Sequence, residues 1–465
     1  MLTCWTRCPP PTVCAPARVP PLLPAARARL TAPPAPPRPR PGLVRTGVAP
    51  DHPEVKQVTH DFEMVAKDGR FGFLGNVCVG SHVQVAELLG AYDAVVLAYG
   101  AASDRAMGVP GEGLRGVHAA RAFVNWYNGH PEYRDFSPNL DTEDVVIVGQ
   151  GNVAIDCARI LCKTRAELAE TDIAAHALDA LSRSRVKRVH VVGRRGHVQA
   201  AVTMKELREA TRLADADFCV RGGELEAGRT PASHAEMEAA RARKRMDALL
   251  SEAASAGAVR VEKKGRALEF RFLRSPVECL AAPGGGGGAV GAVRFAVNRL
   301  EGAAEMQRAV ATGETEVIPA GLVLKSIGYK SLPLPGVPFD ERAATVLNAG
   351  GRVLATPGGA PVKGLYCAGW AKRGPTGIVG TNINDARETV AALLADVAAG
   401  GGGAKGGLPA LRSLLASRGV AQSSLVAWSG WRKIDEGELA RGAAAGKARE
   451  KYVSVKDMLE VGGGV

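Results

Sequence analysis

The chain has 465 residues and nine cysteines, but no two of these are spaced Cys-x-x-Cys. A zinc site, an iron–sulfur cluster or a thioredoxin-like dithiol is therefore unsupported, and a reducing compartment is expected. The chain also lacks an apolar run of about 18 residues, so no transmembrane helix is expected. RNA-recognition, zinc-finger and helix-turn-helix signatures are absent too. The net charge of +12 therefore does not indicate a nucleic-acid partner.

The N-terminal segment lacks whole classes of residue. Residues 1–40 contain no glycine, and residues 1–50 contain no Asp, Glu, Lys or Ser but 14 prolines and 7 arginines. Such a stretch cannot bury enough apolar area to fold alone, so residues 1–40 are predicted to be a disordered, Pro/Arg-rich segment. Arginine without acid is typical of organelle transit peptides, whereas the prolines and missing serine argue against one. The segment is therefore interpreted either as a targeting peptide or as a translated stretch that does not belong to the mature protein.

The clearest positive signal is an apolar strand that runs into a glycine turn and a helix. Residues 145–148 are Val-Val-Ile-Val, and Gly149-x-Gly151-x-x-Ala154 follows. Gly149 permits the tight turn, Gly151 lets a pyrophosphate approach the backbone, and Ala154 allows close packing of helix and strand. The helix N-terminus supplies free N–H groups to the phosphates. The pattern predicts a dinucleotide site; the alternative is a turn that binds nothing.

A second predicted strand, residues 186–193, ends in Arg194-Arg195. An acidic residue at this point suits a ribose 2′-hydroxyl, whereas arginine suits a 2′-phosphate. Two arginines and no carboxylate therefore predict NADP rather than NAD, with a solvated arginine pair as the alternative. The interval from the glycines is about twice the usual ~20 residues. Residues 163–185 are therefore predicted to lengthen the first helix or to add a second one.

The remaining pattern predicts an α/β fold. Three apolar runs of strand length end in glycine, as in buried parallel sheets, at residues 91–100, 320–329 and 363–370. Residues 382–397 are predicted to form a helix with Ile383, Ala386, Val390 and Leu393 on one apolar face.

Several longer segments carry a more specific pattern. They are residues 42–56, 120–129, 149–154, 192–196, 205–208, 274–276, 326–330, 369–377, 431–436 and 446–451. Together they resemble the adrenodoxin reductase family, the mitochondrial type of NADPH-dependent ferredoxin reductase, from about residue 41 to the C-terminus. Broader relatives such as the glutamate synthase small subunit share the fingerprint but not the C-terminal segments.

The resemblance implies two nucleotide-binding Rossmann-like domains. A discontinuous FAD domain would comprise residues 41–112 and 326–465, and an NADP domain, residues 113–325, would be inserted into it. The implied function is a flavoprotein oxidoreductase that passes electrons from NADPH through FAD to a small acidic [2Fe–2S] ferredoxin. The family begins with an FAD fingerprint, and none precedes Gly42 here. The FAD domain is thus expected to be N-terminally incomplete, and a truncated or mispredicted start of the sequence is the favoured explanation.

Family positions carry over residue by residue. For NADP, the resemblance assigns Gln150, Gly151, Asn152 and Val153 to the pyrophosphate, Arg194 and Arg195 to the 2′-phosphate, and Glu206 and Gly377 to the nucleotide. For FAD, it assigns Leu43, Val79, Trp370, Gly377, Ile378 and Val379. It brings His52 and Asp156 to the flavin edge, where proton handling and a plain structural role are alternatives. No metal ligand is expected, and no catalytic residue beyond the flavin is required.

The basic run Arg241-Ala-Arg-Lys-Arg245 resembles the family's docking site for the acidic ferredoxin, with Arg241 and Arg245 as the contact residues. A solvated helix face is the alternative, because Glu236 and Glu238 precede the run. The resemblance implies the mitochondrion, in the matrix or at the inner-membrane surface; a plastid and peripheral membrane association are further alternatives. Two other functions stay open: a flavin-free NADP-binding relative, and a glutamate-synthase-type electron-transfer module.

Overall fold

The computed structural model describes residues 42–255, 264–284, 288–377, 380–400, 403 and 405–464. The segment predicted to be disordered, residues 1–40, lies outside them. The strands are β1 Val95–Leu97, β2 Ser103–Asp104, β3 Val117–Ala119, β4 Asp144–Val148, β5 Arg188–Val192, β6 Asp217–Val220, β7 Ala267–Arg271, β8 Arg274–Ala281, β9 Val290–Glu301, β10 Arg308–Pro319, β11 Leu322–Lys325, β12 Tyr329–Lys330, β13 Phe339–Asp340, β14 Thr345–Val346, β15 Asn348–Ala349, β16 Arg352–Leu354 and β17 Pro361–Cys367. The α-helices are α1 Leu43–Thr46, α2 Thr59–Ala66, α3 Val85–Ala91, α4 Ala120–Tyr127, α5 Asn152–Cys162, α6 Arg165–Ala169, α7 Ala175–Ser182, α8 Met204–Thr211, α9 Gly222–Gly228, α10 Pro231–Ala239, α11 Arg241–Ser255, α12 Trp370–Arg373, α13 Thr381–Ala398, α14 Gly407–Ser417, α15 Trp428–Ala444 and α16 Val455–Gly462.

The larger sheet has six parallel strands in the order β3-β11-β4-β5-β7-β6. Both of its faces are buried, as β4 shows. Val145 and Ile147 face the helical core, whereas Val146 and Val148 face the three-stranded antiparallel sheet β10-β9-β8. Because successive side chains alternate between faces, the continuous apolar run of β4 supplies both cores.

A second sheet has four strands in the order β1-β17-β16-β15, with β1 and β17 parallel. Its core contains Leu97, Leu365 and Cys367, which pack with Leu411 and Leu415 of α14. The two sheets, each with its own core, confirm the predicted α/β class. The long interval between the glycine turn and β5 is filled by α6 and α7, so the prediction of added helix there is also confirmed.

The helix predicted at residues 382–397 is confirmed as α13. Its apolar face is nevertheless largely exposed: Ile383 is 56% exposed, Val390 is 37% exposed and Ala386 is exposed, whereas Leu393 is half-buried. The buried residues are Asp385 and Thr389. Asp385 accepts a hydrogen bond from the Gly369 N–H and Thr389 donates one to the Cys367 carbonyl at 3.0 Å, so hydrogen bonds to the end of β17 orient this helix.

Ion pairs tie the first described residues to the rest of the chain. Lys56 Nζ lies 2.6 Å from an Asp172 carboxylate oxygen. Arg45 pairs with Glu438 of α15, whose side chain is fully buried. Among the described residues, no helix is long and apolar enough to cross a membrane.

Candidate functional site at the strand ends

The glycine turn lies where β4 ends and α5 begins. Gly149 has φ +119°, and a Cβ added there would meet the Ser326 carbonyl oxygen at 2.2 Å. Gly151 has φ −99°, and a Cβ added there would meet nothing within 4 Å. The first glycine is therefore required by the fold. The second leaves open space in front of a helix N-terminus that no side chain caps, which suits an anion.

Neighbouring side chains fix this turn. Gln150 is buried, and its Nε2 donates to the Arg271 carbonyl at 2.8 Å. A Cβ on Gly193, just after β5, would meet Gln150 Oε1 at 2.0 Å. Asn152 Oδ1 accepts from the Thr203 N–H at 2.9 Å. The Gln150 side chain thus packs into the fold, and the open space belongs to the backbone of the turn.

Arg194 and Arg195, at the end of β5, line a cleft of about 580 Å³. The other lining residues are Ser275, Glu305, Met306, Gln307, Arg308 and Ala309. Burial, and then the adjacent Arg194, lowers the pKa of Arg195. A cleft with three guanidinium groups suits a phosphate, so these residues fit the adenosine end of NADP. Arg308 was not predicted from the sequence, because it reaches the cleft from a strand more than 100 residues further along the chain.

A buried polar cluster surrounds His52. Its Nε2 lies 2.8 Å from Glu209 Oε2, and its Nδ1 lies 3.8 Å from Glu206 Oε1 and 4.0 Å from Asp156 Oδ1. Asp156 comes from α5, and Glu206 and Glu209 come from α8. The structure therefore brings together the predicted residues His52, Asp156 and Glu206, and it adds Glu209, which no sequence spacing indicated.

Arg159 and Lys163 balance the carboxylates of this cluster. Arg159 is 2% exposed; it pairs with Asp51, and its Nη2 lies 2.5 Å from Asp156 Oδ1. Burial lowers the pKa of Arg159, but the carboxylates of Asp51 and Asp156 raise it by more, so the net shift is upward. Lys163 Nζ lies 2.7 Å from Asp51 Oδ2.

Two carboxyl groups of the cluster bind their protons unusually tightly. Burial, and then the nearby Asp156, raises the pKa of Glu206 to about 6. Burial also raises the pKa of Asp156, against the effect of Arg159. Glu206 Oε2 is buried without a hydrogen-bond partner among the described residues. This carboxyl group can therefore hold or accept a proton near neutral pH, or bind a donor from a ligand.

The end of β17 provides a second candidate surface. Trp370 begins α12 directly after Gly369, and its Nε1 is buried without a hydrogen-bond partner among the described residues. Gly369, Gly374 and Gly377 have φ of +68°, +79° and +78°. An orphaned indole N–H beside three left-handed glycines is a cradle that a flat polar ring system would satisfy, so this side fits a flavin.

The other residues assigned to FAD are placed unevenly. Leu43 is 43% exposed on α1, and Val79 is buried in the core of the four-stranded sheet. Ile378 and Val379 lie outside the described residues. In the described part of the four-stranded sheet, no strand leads into a helix through Gly-x-Gly.

The basic run begins α11. Arg241 and Arg245 are exposed, whereas Arg243 pairs with Glu305 and Glu236, and Lys244 pairs with Glu238. Two of the four cations of the run are thus paired within the protein, whereas Arg241 and Arg245 have no ion-pair partner within 4.0 Å in the described part of the chain.

Sequence comparisons find proteins that are similar to this chain over most of its length. The profile of the pyridine nucleotide-disulphide oxidoreductase family matches residues 7–215. The chain is 49% identical over 429 residues to the mitochondrial NADPH:adrenodoxin oxidoreductase of Salvelinus fontinalis. This alignment covers 90% of this chain and 83% of that protein. It is 47% identical over 435 residues to the enzyme of the same name from Homo sapiens, covering 90% and 84%.

A bacterial relative is also similar. NADPH-ferredoxin reductase FprA of Mycobacterium tuberculosis is 41% identical over 435 residues, covering 90% of each chain. The solved structure of FprA in complex with NADPH superposes with a TM-score of 0.82 at 40% identity, covering 90% of this chain and 89% of that one.

Proposed function

The chain belongs to the NADPH:adrenodoxin oxidoreductase family, and we propose on that basis that it passes electrons from NADPH through FAD to a ferredoxin-type protein. The observation that carries the proposal is the placement of the open Gly151 turn and the arginine cleft at the ends of adjacent strands β4 and β5. A dinucleotide with a 2′-phosphate needs both features at the ends of neighbouring strands, one for the pyrophosphate and one for the 2′-phosphate.

The proposed NADP contacts use the turn and the arginine cleft. The backbone of Gln150, Gly151, Asn152 and Val153 would hold the pyrophosphate at the start of α5, and Arg194 and Arg195 would bind the 2′-phosphate. Glu206 Oε2 lies 3.5 Å from Arg159 Nη2 but has no hydrogen-bond partner among the described residues, so it would accept a hydrogen bond from the nicotinamide end. Gly377 would lie between the two cofactors.

The flavin contacts come from the cradle after β17. The Trp370 Nε1–H would donate to a polar atom of the ring, and Gly377 would let the backbone approach it, with Leu43, Val79, Ile378 and Val379 completing the site. When bound, a flavin accepts a hydride and releases electrons singly, which is the conversion that a one-electron acceptor requires. His52, held by Glu209 and close to Asp156, is positioned to hold or move a proton at its ring nitrogens.

The acceptor is proposed to be a small acidic [2Fe–2S] protein that docks on Arg241 and Arg245. Their free charge on the surface of α11 would raise the encounter rate and set the orientation of an acidic partner. We also propose a mitochondrial location. The names of the fish and human relatives support it, although the bacterial relative shows that the fold is not confined to mitochondria.

Ferredoxin-dependent reduction of cytochrome c tests this proposal. Purified protein supplied with FAD, NADPH and an adrenodoxin-type ferredoxin should reduce cytochrome c, and omission of the ferredoxin should abolish most of the rate. NADH in place of NADPH should be much less effective. A flavin-loaded protein that oxidises NADPH with ferricyanide but shows no ferredoxin-dependent rate would contradict the proposed acceptor.

A further inference from the structure

The cleft beside Arg195 is lined by arginines from two separate segments. Arg194 and Arg195 follow β5, and Arg308 is the first residue of β10. None of the three has an ion-pair partner within 4.0 Å among the described residues. Like charges gathered in one cleft repel each other, so this arrangement favours an anion between them.

The surrounding arginines behave differently. Arg243 pairs with Glu236 and Glu305, and Arg274 Nε lies 2.7 Å from Glu316 Oε2. Glu305 is the one carboxylate among the described residues that line the cleft, and Arg243 neutralises it from outside. Among the described residues that line the cleft, the three arginines therefore outnumber the single carboxylate.

The backbone holds the two arginine segments in fixed relation. The Asn298 side chain, on β9, donates to the Arg194 carbonyl at 2.9 Å and to Ser275 Oγ at 2.8 Å. The same strand pairs with β10, where Glu301 lies opposite Arg308. Gln307, which precedes Arg308, is 4% exposed and donates to Ser233 Oγ and Glu236 Oε1, each at 3.0 Å. Because β9 contacts both segments, the spacing of the two backbone segments that carry the arginines is set before any ligand binds.

We propose that Arg308 is a third arginine of the 2′-phosphate site and contributes, with Arg194 and Arg195, to the preference for NADPH over NADH. The inference rests on the proposed function, because it takes the cleft to be the adenosine end of the NADP site. A phosphate monoester carries close to two negative charges at neutral pH, so two guanidinium groups neutralise it and a third adds hydrogen bonds that a 2′-hydroxyl cannot match.

The test is a calorimetric titration of wild-type protein and the Arg308→Gln variant with 2′,5′-ADP and with 5′-ADP, which lacks the 2′-phosphate. We expect the variant to bind 2′,5′-ADP about tenfold more weakly and 5′-ADP as wild type does. The KM for NADPH with ferricyanide should rise by a similar factor, with kcat and the KM for NADH unchanged. Arg299→Gln on β9 is the matched control, since Arg299 is exposed and pairs with Glu301 outside the cleft.

The outcomes separate this inference from the proposed function. Unchanged binding of 2′,5′-ADP to Arg308→Gln, in a variant that melts at the wild-type temperature, would overturn it. Equal weakening of 5′-ADP binding would also overturn it, because Arg308 would then not read the 2′-phosphate. If the wild type prefers 2′,5′-ADP and Arg308→Gln loses that preference, the inference stands even where no ferredoxin is reduced.

Discussion

The Nε2 atom of His52 lies 2.8 Å from a carboxylate oxygen of Glu209, although 157 residues separate the two along the chain. His52 belongs to the segment that follows α1, and Glu209 belongs to α8 of the domain with the six-stranded sheet. The pair therefore joins two parts of the chain that lie far apart in the sequence.

This contact should be measurable as an interaction energy. We expect the variants His52→Gln and Glu209→Gln, singly and combined, to give a coupling free energy of about 1 kcal/mol in urea unfolding, because a mostly buried hydrogen bond is lost. Lys205, which lies 3.8 Å from Glu209, provides the control. The Lys205 side chain is more than half exposed, so the coupling free energy between Lys205→Gln and His52→Gln should be far smaller. An equal coupling free energy would show that the His52–Glu209 contact is not specific.

The two glycines of the turn should fail in different ways. Gly149→Ala should lower the free energy of unfolding by roughly 2 kcal/mol or more, because its φ is positive and its Cβ would overlap the Ser326 carbonyl. Gly151→Ala should unfold as wild type does but bind NADPH at least about tenfold more weakly, because the methyl group fills the space for the pyrophosphate. Thermal melts and NADPH titrations measure both. Normal NADPH affinity in the Gly151→Ala variant would show that the pyrophosphate does not bind at this turn.

Glu206 should make stability fall as the pH rises. Burial, and then Asp156, raises its pKa from 4.5 to about 6 in the folded chain. The folded state therefore holds a proton that the unfolded state has already released between these two values. The stabilisation is present below about pH 4.5 and is lost as the pH rises through about 6. Relative to Glu206→Gln, the ligand-free wild type should lose about 1–2 kcal/mol across this interval, measured by urea unfolding at each pH. Parallel pH curves for the two proteins would contradict the shift.

Charge reversal on α11 should affect the protein partner alone. The double variant Arg241→Glu/Arg245→Glu should raise the KM for ferredoxin about tenfold at low salt and leave NADPH–ferricyanide activity intact. Arg243 is excluded from the design because it pairs with Glu236 and Glu305. Lys433→Glu on α15 is the control, because Lys433 is exposed and has no ion-pair partner within 4.0 Å among the described residues. Equal loss of both activities in the double variant would indicate damage to the fold or to the adjacent nucleotide cleft.

Local sequence was enough to predict the turn between β4 and α5. An apolar strand, two glycines and a helix follow each other without interruption, so the residues that form the site are also the residues that form the turn. The arginines after β5 were predictable for the same reason, since the strand end fixes where they lie.

Residues that depend on distant contacts were not predictable. The apolar pattern of α13 predicted the helix but did not indicate that Asp385 and Thr389 are its buried residues. Asp385 accepts a hydrogen bond from the Gly369 N–H and Thr389 donates one to the Cys367 carbonyl, and these contacts decide which face is buried. Glu209 contacts His52, and Arg308 lines the cleft beside Arg195. Both residues come from elements distant in sequence from their neighbours, and no spacing within the chain indicates these contacts. Such positions follow from tertiary packing, which periodicity alone does not encode.

The most direct test of the account is a visible absorption spectrum of the purified chain after it is mixed with FAD and desalted, followed by anaerobic addition of NADPH. We expect a retained flavin band that NADPH bleaches, because the Trp370 cradle and the arginine cleft would place the two cofactors in one protein. A colourless protein that still binds NADPH would contradict the account and would favour the flavin-free alternative.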